Sequence, residues 1–283
     1  MNNHYGNNVF ITGATSGIGF ATAKMLAEAG FCVYGASRHG GEDIITKNGF
    51  VKMMKIDVTD EESISNCIRN VIAAAGSIDI LINAAGNGVC GAVDESEFEA
   101  AFSQFNVNYF GTLRVINEVS PLMRKRGKGL IINIGSVGGI YSIPFQSLYS
   151  SSKMAVEAMT ECMRIELKPF GVKATLIEPG DIKTGFTAAR RYSKKAQNSE
   201  YGIEFKRSLA QMESDEQNGD SPDIIAKAIL KVIGKKNPPV RTVVGGIYKF
   251  FVFLKRILPA ITVEKIITCM YPKSNVLEKT TKR

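Results

Sequence analysis

Three polar residues in the middle of the chain have the types and the spacing needed for proton transfer. Tyr149 and Lys153 are four residues apart, and residues at that spacing share one face of a helix. Ser136 precedes Tyr149 by thirteen residues, at the end of an apolar run. A tyrosine has an ordinary pKa of about 10, and a neighbouring ammonium group lowers it by stabilising the anion. The arrangement predicts that Tyr149 exchanges a proton with a carbonyl or alcohol oxygen, which Ser136 orients by a hydrogen bond.

A second candidate site is a glycine-rich segment near the start of the chain. Val9–Thr12 is an apolar run of strand length, and a glycine-rich turn and a helical pattern follow it at once. Glycines let the backbone turn tightly and approach a phosphate, and the helix N-terminus would then face a pyrophosphate. A glycine turn without a ligand is the alternative, and the position directly after the first strand favours a nucleotide. The residues predicted to bind the cofactor here are Gly13, Thr15, Ser16, Gly17, Ile18 and Gly19.

The spacing Thr-Gly-x-x-x-Gly-x-Gly resembles the short-chain dehydrogenase/reductase family, and the resemblance extends over about the first 185 residues. A Tyr-x-x-x-Lys pair alone is frequent by chance, but its occurrence together with Ser136 and the glycine segment is specific. The resemblance implies an oxidoreductase with four catalytic residues, and it gives Lys153 a second role in binding the nicotinamide ribose. Asn106 is a nearby alternative for the fourth member, but the Asn-x-x-Gly continuation favours Asn108. The predicted catalytic residues are Asn108, Ser136, Tyr149 and Lys153.

The end of the second strand bears on the choice of cofactor. The chain there reads Ser37-Arg38, without the carboxylate that would bind a ribose 2′-hydroxyl. Arg38 can bind a 2′-phosphate through charge-assisted hydrogen bonds, so the sequence predicts NADP(H). A solvated surface arginine is the alternative. The resemblance assigns three further strand ends to the cofactor, namely Asp57 and Val58, then Asn83, Ala84, Ala85 and Gly86, then Pro179, Gly180, Ile182 and Thr184.

Apolar runs of strand length alternate with longer segments of helical period along most of the chain. This alternation predicts an α/β fold, a doubly wound parallel sheet of Rossmann type with helices on both faces. One domain over residues 1–283 is expected. The predicted strands are Val9–Thr12, Cys32–Ala36, Val51–Ile56, Ile78–Ile82, Leu130–Ile134, Ala174–Ile177 and Val240–Val244, and the predicted helices are Gly17–Ala29, Glu61–Ala75, Glu97–Met123, Leu148–Lys168 and one starting at Ser221-Pro222.

Two segments fall outside this alternation. Residues 181–220 are polar and irregular, which predicts a substrate lid. Arg190, Arg191, Lys194 and Lys195 within it are interpreted as a solvated run of charge, with an anionic substrate tail as the alternative. Residues 248–283 form an apolar extension with interspersed lysines, in which Pro259 interrupts any long helix. This extension is expected to rest on a membrane surface, to cover the pocket or to contact another subunit.

An apolar cleft with one polar focus suits a hydrophobic ketone or secondary alcohol of steroid-like or lipid-like structure. The predicted substrate residues are Ile140, Tyr141, Phe145 and Phe186. A narrower resemblance is to hydroxysteroid dehydrogenases and acyl-dihydroxyacetone-phosphate reductases. A catalytically inactive nucleotide-binding redox sensor or regulator is the competing hypothesis, although all four catalytic positions are occupied.

The net charge of +8 favours anionic partners, but the basic residues are dispersed and no nucleic-acid-binding module is recognised, so nucleic acid is not an expected partner. The five cysteines lie far apart without metal-ligand spacing, so no metal is predicted and a reduced, cytoplasmic setting is expected. No apolar run approaches the roughly 20 residues that cross a bilayer. The family resemblance implies a homo-oligomer, either a dimer or a tetramer.

Overall fold

The computed structural model describes residues 4–271. Within that range the chain forms ten strands and ten α-helices, with a π-helical segment at Asn106–Gly111 and 3-10 turns at Lys168–Phe170 and Ala196–Asn198. The strands are β1 (Asn8–Thr12), β2 (Cys32–Ser37), β3 (Ile44–Ile45), β4 (Phe50–Lys55), β5 (Ile80–Asn83), β6 (Val89–Cys90), β7 (Gly129–Ile134), β8 (Val172–Pro179), β9 (Arg191–Tyr192) and β10 (Arg241–Val244). The helices are α1 (Gly17–Glu28), α2 (Glu61–Ala75), α3 (Phe98–Phe105), α4 (Thr112–Arg126), α5 (Val137–Ile140), α6 (Ser147–Glu166), α7 (Gly202–Gln217), α8 (Pro222–Ile233), α9 (Gly246–Ile257) and α10 (Ala260–Met270).

Eight strands form one sheet in the order β10-β8-β7-β5-β1-β2-β4-β3. All neighbours pair in parallel except the short edge strand β3, which is antiparallel to β4. The strand order reverses at β1, whose Phe10 lies opposite Tyr34 of β2 and Leu81 of β5. The carboxyl ends of these parallel strands therefore meet at one edge, where α/β proteins of this kind bind ligands.

Both faces of the sheet are covered by helices because successive strand side chains point to opposite sides. Ile11 of β1 packs with residues of α1 and α8 on one face. Phe10 of the same strand packs with α2, α4 and α6 on the other. Both side chains are completely buried, as expected for parallel strands covered on both faces. The predicted doubly wound α/β fold is confirmed.

Two predicted elements are wrong in their details. The expected continuous helix Glu97–Met123 is divided into α3, the π-helical segment and α4. Residues 181–220 are not irregular, because they contain β9 and the 16-residue helix α7. Phe205, Leu209 and Met212 of α7 recur at helical spacing and pack together in a small apolar cluster. That spacing was the available signal, and the many charged residues around it concealed it.

The C-terminal elements agree with the local sequence signals. Ser221 caps α8 by accepting a hydrogen bond from the backbone of Asp223, and Pro222 occupies the first helical position. Pro259 separates α9 from α10, as predicted. The last part of the expected extension, residues 272–283, lies outside the described residues. Over residues 4–271 we find no helix with the length and apolar character required to cross a membrane.

Candidate active site

The glycine segment joins the ends of three strands. The backbone amide of Gly13 donates a hydrogen bond of 2.8 Å to the carbonyl of Ala36, which lies in β2. Gly13 has a φ of +73°, and a Cβ atom there would lie 2.8 Å from the backbone nitrogen of Ala85, beyond the end of β5. A Cβ atom at Gly19 would lie 2.1 Å from the carbonyl oxygen of Gly13. Only glycine allows this close approach of backbones at the sheet edge.

The N-terminus of α1 has the features of a phosphate-binding site. Ser16 is the N-cap residue and makes no side-chain capping hydrogen bond, and the first turn contains no acidic residue. The first amides of the helix therefore have no carboxylate competing for them, and the helix dipole favours an anion. A Cβ atom at Gly17 would lie 3.3 Å from the side chain of Thr184, so the glycine segment and the segment after β8 border the same space. This cradle fits the pyrophosphate of a dinucleotide.

The turn after β5 is fixed by side chains within the sheet. The Thr12 hydroxyl accepts hydrogen bonds of 3.2 Å from the amides of Ala84 and Ala85. The amide group of Asn83 donates to the side chain of Asn133, at 2.8 Å, in the neighbouring strand β7. The side chain of Asn83 is therefore directed into the sheet, and it positions the turn rather than facing the cradle.

At the ends of β2 and β4, Arg38 and Asp57 lie near each other. The Asp57 carboxylate accepts hydrogen bonds from the hydroxyl and the amide of Thr59, which hold its pKa below the ordinary value. The charge of Arg38 contributes in the same direction. Arg38 itself is exposed, and the Ser37 hydroxyl donates to the carbonyl of Gly40 at 2.6 Å. By contrast, the side chain of Val58 belongs to the core, so only its backbone remains for a ligand.

Ser136, Tyr149 and Lys153 come together where β7 ends. Ser136 caps the short helix α5 and accepts a 3.0 Å hydrogen bond from the amide of Gly138. Tyr149 and Lys153 lie on one face of α6, with the lysine Nζ atom 5.8 Å from the centre of the tyrosine ring. The same Nζ atom donates a 2.8 Å hydrogen bond to the carbonyl of Ile134. The predicted proton-transfer group is therefore assembled around the last residues of one buried strand.

Burial affects the two ionisable groups of this site in opposite directions. Contrary to the predicted lowering by Lys153, burial raises the pKa of Tyr149 to about 12, although a hydrogen bond from Ser136 counteracts it. Burial lowers the pKa of Lys153 to about 8. In both cases desolvation penalises the charged form. Near neutral pH, Tyr149 therefore carries its proton in the cofactor-free protein.

Asn108 lies in the π-helical segment and is buried. Its side-chain oxygen accepts a 2.9 Å hydrogen bond from the amide of Asn87, and its side-chain amide donates to the hydroxyl of Ser152. A Cβ atom at Gly86 would lie 3.3 Å from that side-chain oxygen and 3.8 Å from the Nζ atom of Lys153. The side chains of Asn108 and Lys153 therefore border the same glycine. π-Helical turns inside α-helices are frequent at functional sites, and the helix signal alone did not indicate this one.

The predicted substrate residues are distributed over two places. The Phe186 ring lies against the Tyr149 ring, with 5.6 Å between their centres. Ile140 and Tyr141 instead bind the C-terminal helix α9, because the Tyr141 hydroxyl donates to the carbonyl of Phe251 and Lys255 donates to the carbonyl of Ile140.

Phe145 has an unusual backbone conformation, with a φ of +61°. Its ring packs edge-on against Tyr201 and against Phe205 of α7, at 5.6 and 5.3 Å. Its carbonyl accepts a hydrogen bond from Gly91. The structure thus directs this ring into the cluster beneath α7, whereas Phe186 lies on Tyr149.

Covering the pocket was one of three positions expected for the C-terminal extension, but the sequence did not show which residues of α9 contact the site. The ring of Tyr248 packs on Gly180, where a Cβ atom would lie 2.1 Å from it, and its hydroxyl donates to the carboxylate of Asp181 at 2.5 Å. Burial raises the pKa of Asp181, and the hydrogen bond from Tyr248 counteracts this. The contact joins residues 67 positions apart, so no local pattern could reveal it. Ile182, next along the chain, is buried and pairs with Asp220.

The charged run in residues 181–220 is not entirely solvated. The side chain of Arg190 is only 1% exposed, and it forms ion pairs with Glu216 and, at 3.8 Å, with Glu213 of α7. The hydroxyl of Thr187 also donates to Glu216. The interpretation of Arg190 as a solvated charge is therefore wrong, because its side chain is buried and α7 supplies two partly exposed carboxylates that pair with it.

A dinucleotide cradle beside a Ser-Tyr-Lys group at the carboxyl edge of a doubly wound sheet defines an oxidoreductase that uses a nicotinamide dinucleotide. The family model for short-chain dehydrogenases matches residues 7–195. The chain belongs to the short-chain dehydrogenase/reductase family, whose members act on CH–OH and C=O groups.

Curated relatives and solved structures agree with this assignment. The chain is 44% identical to a 3-ketodihydrosphingosine reductase from Bacteroides thetaiotaomicron over 84% of its length and 87% of the relative. It is 30% identical to bovine retinol dehydrogenase 8 over 89% of its own length and 86% of that relative. A short-chain dehydrogenase from Streptomyces avermitilis superposes with a TM-score of 0.78 at 27% identity, covering 100% and 99% of the two chains. The NADP-bound protein ElxO superposes with a TM-score of 0.68 at 25% identity, covering 86% of this chain and 99% of ElxO.

Proposed function

We propose that this chain reduces a long, apolar ketone to a secondary alcohol with NADPH. The observation that carries the proposal is the position of Tyr149, which lies beside Lys153 at the end of β7 and is covered by the ring of Phe186. A carbonyl group placed there meets a proton donor on one side and an aromatic wall on the other. The inactive-regulator hypothesis finds no support, since the four residues of the reaction group are retained.

The proposed roles of the side chains follow from their contacts. Bound at the strand ends, NADPH supplies the hydride. Tyr149 donates its proton to the substrate oxygen, and the Ser136 hydroxyl orients that oxygen. The ammonium group of Lys153 stabilises the tyrosinate left behind, since it lies over the face of the same ring. Asn108 holds the turn at Asn87 and Gly86 next to this ammonium group.

The preference for NADPH is proposed from the end of β2. Arg38 is exposed beside the cradle, and Ser37 stands where an NAD-dependent enzyme would place a carboxylate. The nearby carboxylate of Asp57 is already bound by Thr59. The positively charged guanidinium group of Arg38 is therefore proposed to bind a 2′-phosphate, and its planar shape permits two hydrogen bonds to one phosphate.

The apolar substrate class is supported by the walls of the cleft and by the relatives. Phe186 covers Tyr149, and α9 adds an apolar face next to Tyr141. 3-Ketodihydrosphingosine and retinol, which appear in the names of two relatives, are both long hydrocarbon compounds with one oxygenated end. A homo-oligomer is proposed from the family resemblance and a cytoplasmic setting from the dispersed cysteines, and light scattering would measure the assembly.

Steady-state kinetics with both cofactors test the proposal. With 3-ketodihydrosphingosine, retinal and a short methyl ketone as substrates, we expect kcat/KM to be highest for a long-chain compound. Wild type should prefer NADPH about tenfold or more, since hydrogen bonds to charged groups contribute roughly 1.5–3 kcal/mol. Arg38→Ala should lower kcat/KM for NADPH by about tenfold and for NADH by less than about twofold.

Two comparisons make this test specific. Arg69→Ala removes an exposed arginine on α2 and should leave both cofactors unaffected. Adding Ser37→Asp to Arg38→Ala should favour NADH, because a carboxylate repels the 2′-phosphate. A wild-type preference for NADH, or an equal loss for both cofactors in Arg38→Ala, would contradict the assignment of the cofactor.

A further inference from the structure

The C-terminal helix pair, residues 246–271, has an inner face bound to the active site. Tyr248 packs on Gly180, and the carbonyl of Phe251 accepts a hydrogen bond from the Tyr141 hydroxyl. At the far end of the pair, Tyr271 packs in the cluster that also contains Phe145. The helix pair therefore spans both walls of the proposed substrate cleft.

The outer face of α9 is an exposed apolar stripe. Ile247, Phe250, Phe253 and Ile257 recur at intervals of three and four residues, so they lie along one side of the helix. Each is between 57% and 61% exposed, and Ile261 of α10 is 58% exposed. Isolated apolar side chains are common on protein surfaces, but a continuous stripe of this kind indicates a binding surface.

Basic residues border this stripe. Lys249 and Arg256 are exposed on α9, and Lys265 is exposed on α10. Glu264 is the exposed acidic residue within residues 246–271, so three cations face one anion on the described part of this surface. An amphipathic helix with apolar and basic faces binds the interface of a bilayer that contains anionic lipid.

We propose that the outer face of the C-terminal helix pair docks on a bilayer containing anionic phospholipid. The aromatic and aliphatic stripe enters the headgroup region, and Lys249, Arg256 and Lys265 contact phosphate groups. A second copy of the chain fits this face less well, since a two-fold contact through α9 would bring Lys249 and Arg256 of both copies together. Docking does not depend on the proposed substrate, but it would place the walls of the cleft next to the source of a lipid.

Sedimentation of the full chain with vesicles tests the proposal. We expect binding to vesicles of phosphatidylcholine mixed with phosphatidylglycerol, weaker binding to phosphatidylcholine alone, and release by high salt. Phe250→Ser combined with Phe253→Ser should weaken binding at least about tenfold, because two buried aromatic groups are lost. Lys249→Gln should weaken binding about fivefold, and only to the anionic vesicles.

The matched control is Phe98→Ser combined with Phe102→Ser, which removes an exposed stacked aromatic pair on α3 and should leave vesicle binding unchanged. Turnover of a water-soluble ketone should be unaltered in the α9 double variant, so a failure of docking is distinguishable from a failure of the enzymatic assignment. Equal vesicle binding by wild type and the α9 double variant would overturn the proposal. So would an oligomer that the α9 double variant dissociates, which would assign this face to a second copy.

Discussion

The cofactor side and the substrate side of this site are built by different means. On the cofactor side, strand ends and glycine backbones fix the geometry, as where Gly13 lies against Ala85. On the substrate side, side chains distant in sequence hold the elements together, as in the ion pair of Arg190 with Glu216 and the hydrogen bond from Tyr248 to Asp181. The family model ends within this second region, at residue 195. Each strand end on the cofactor side carries its own sequence signal, whereas the substrate side depends on pairs of side chains that no single segment signals.

The largest expected effect is at the junction of the two sides. Tyr149→Phe keeps the ring against Phe186 but removes the transferable proton, so kcat should fall by roughly a thousandfold. The dissociation constant of NADPH, measured by fluorescence titration, should change by less than about threefold.

The matched control is Tyr141→Phe, which removes a hydroxyl bonded to the carbonyl of Phe251 on the substrate side. Most of the turnover should remain in this variant. If Tyr149→Phe retained more than about a tenth of the wild-type kcat, the assignment of Tyr149 as proton donor would be wrong.

This contrast explains how much the sequence could predict. Parallel strands buried on both faces give continuous apolar runs, and the residues that follow them lie at one sheet edge, so Ser37 and Ser136 were placed correctly at the end of β2 and just after β7. Tyr149 and Lys153 followed from helical spacing. The side-chain directions of Asn83 and Val58 could not be predicted, because a strand-end motif does not show whether a side chain faces the cradle or the core.

The substrate side could not be predicted to the same depth. Arg190 looked like a surface charge because its partner Glu216 is 26 residues away on an unrecognised helix. The position of α9 on Gly180 and Tyr141 depends on tertiary packing, which leaves no local pattern. The prediction that residues 181–220 are irregular is therefore wrong, because the segment is folded and held by contacts such as that of Arg190 with Glu216, and its role as a substrate lid stays a prediction.

Arg190→Met tests whether those contacts hold the substrate side. Removing one partner of a buried ion pair costs about 3–5 kcal/mol, since Glu216, with a side chain only 14% exposed, loses its cation. Protease cleavage within residues 181–220 should accelerate, because local unfolding becomes easier there. Affinity for NADPH should stay nearly unchanged.

Arg190→Met combined with Glu216→Leu provides the control, since it removes both charges and should restore most of the protease resistance. In wild type, cofactor and substrate together should slow cleavage in the same range. Identical cleavage of wild type and Arg190→Met would show that the ion pair does not stabilise this segment.

The same substitution at two glycines compares the regions directly. Gly13 and Gly202 both have a positive φ, +73° and +48°, but a Cβ atom at Gly202 would have no atom within 4 Å. Alanine at either position costs about 1–2 kcal/mol in backbone strain. At Gly13 the clash with Ala85 adds about 1–3 kcal/mol.

Urea denaturation of both variants would measure this difference. We expect Gly13→Ala to lose about 2 kcal/mol more of the free energy of unfolding than Gly202→Ala, and to lose NADPH binding as well. Equal losses would mean that the backbone at the cofactor side adapts as readily as that of α7, and the contrast between the two regions would disappear.

A pH dependence of stability is expected to arise from Lys153. Burial lowers the pKa of its ammonium group to about 8 in the folded protein, against 10.5 ordinarily. Below about pH 8 both states carry the charge, and the folded state bears the full cost of burying it. Between about pH 8 and 10.5 the folded protein has released this proton while the unfolded chain still holds it, so the contribution of Lys153 to stability becomes more favourable as pH rises.

Lys153→Met removes this dependence together with catalysis. We therefore expect the difference in Tm between the cofactor-free variant and wild type to be most positive near pH 7 and to decrease toward pH 10. Losing the hydrogen bond to Ile134 adds a constant offset to this difference and does not change the trend. Lys52→Met, which removes an exposed lysine from β4, should show no such trend. A difference for Lys153→Met that stayed constant with pH would show that this ammonium group is solvated, and that the edge where Tyr149 lies is open to water.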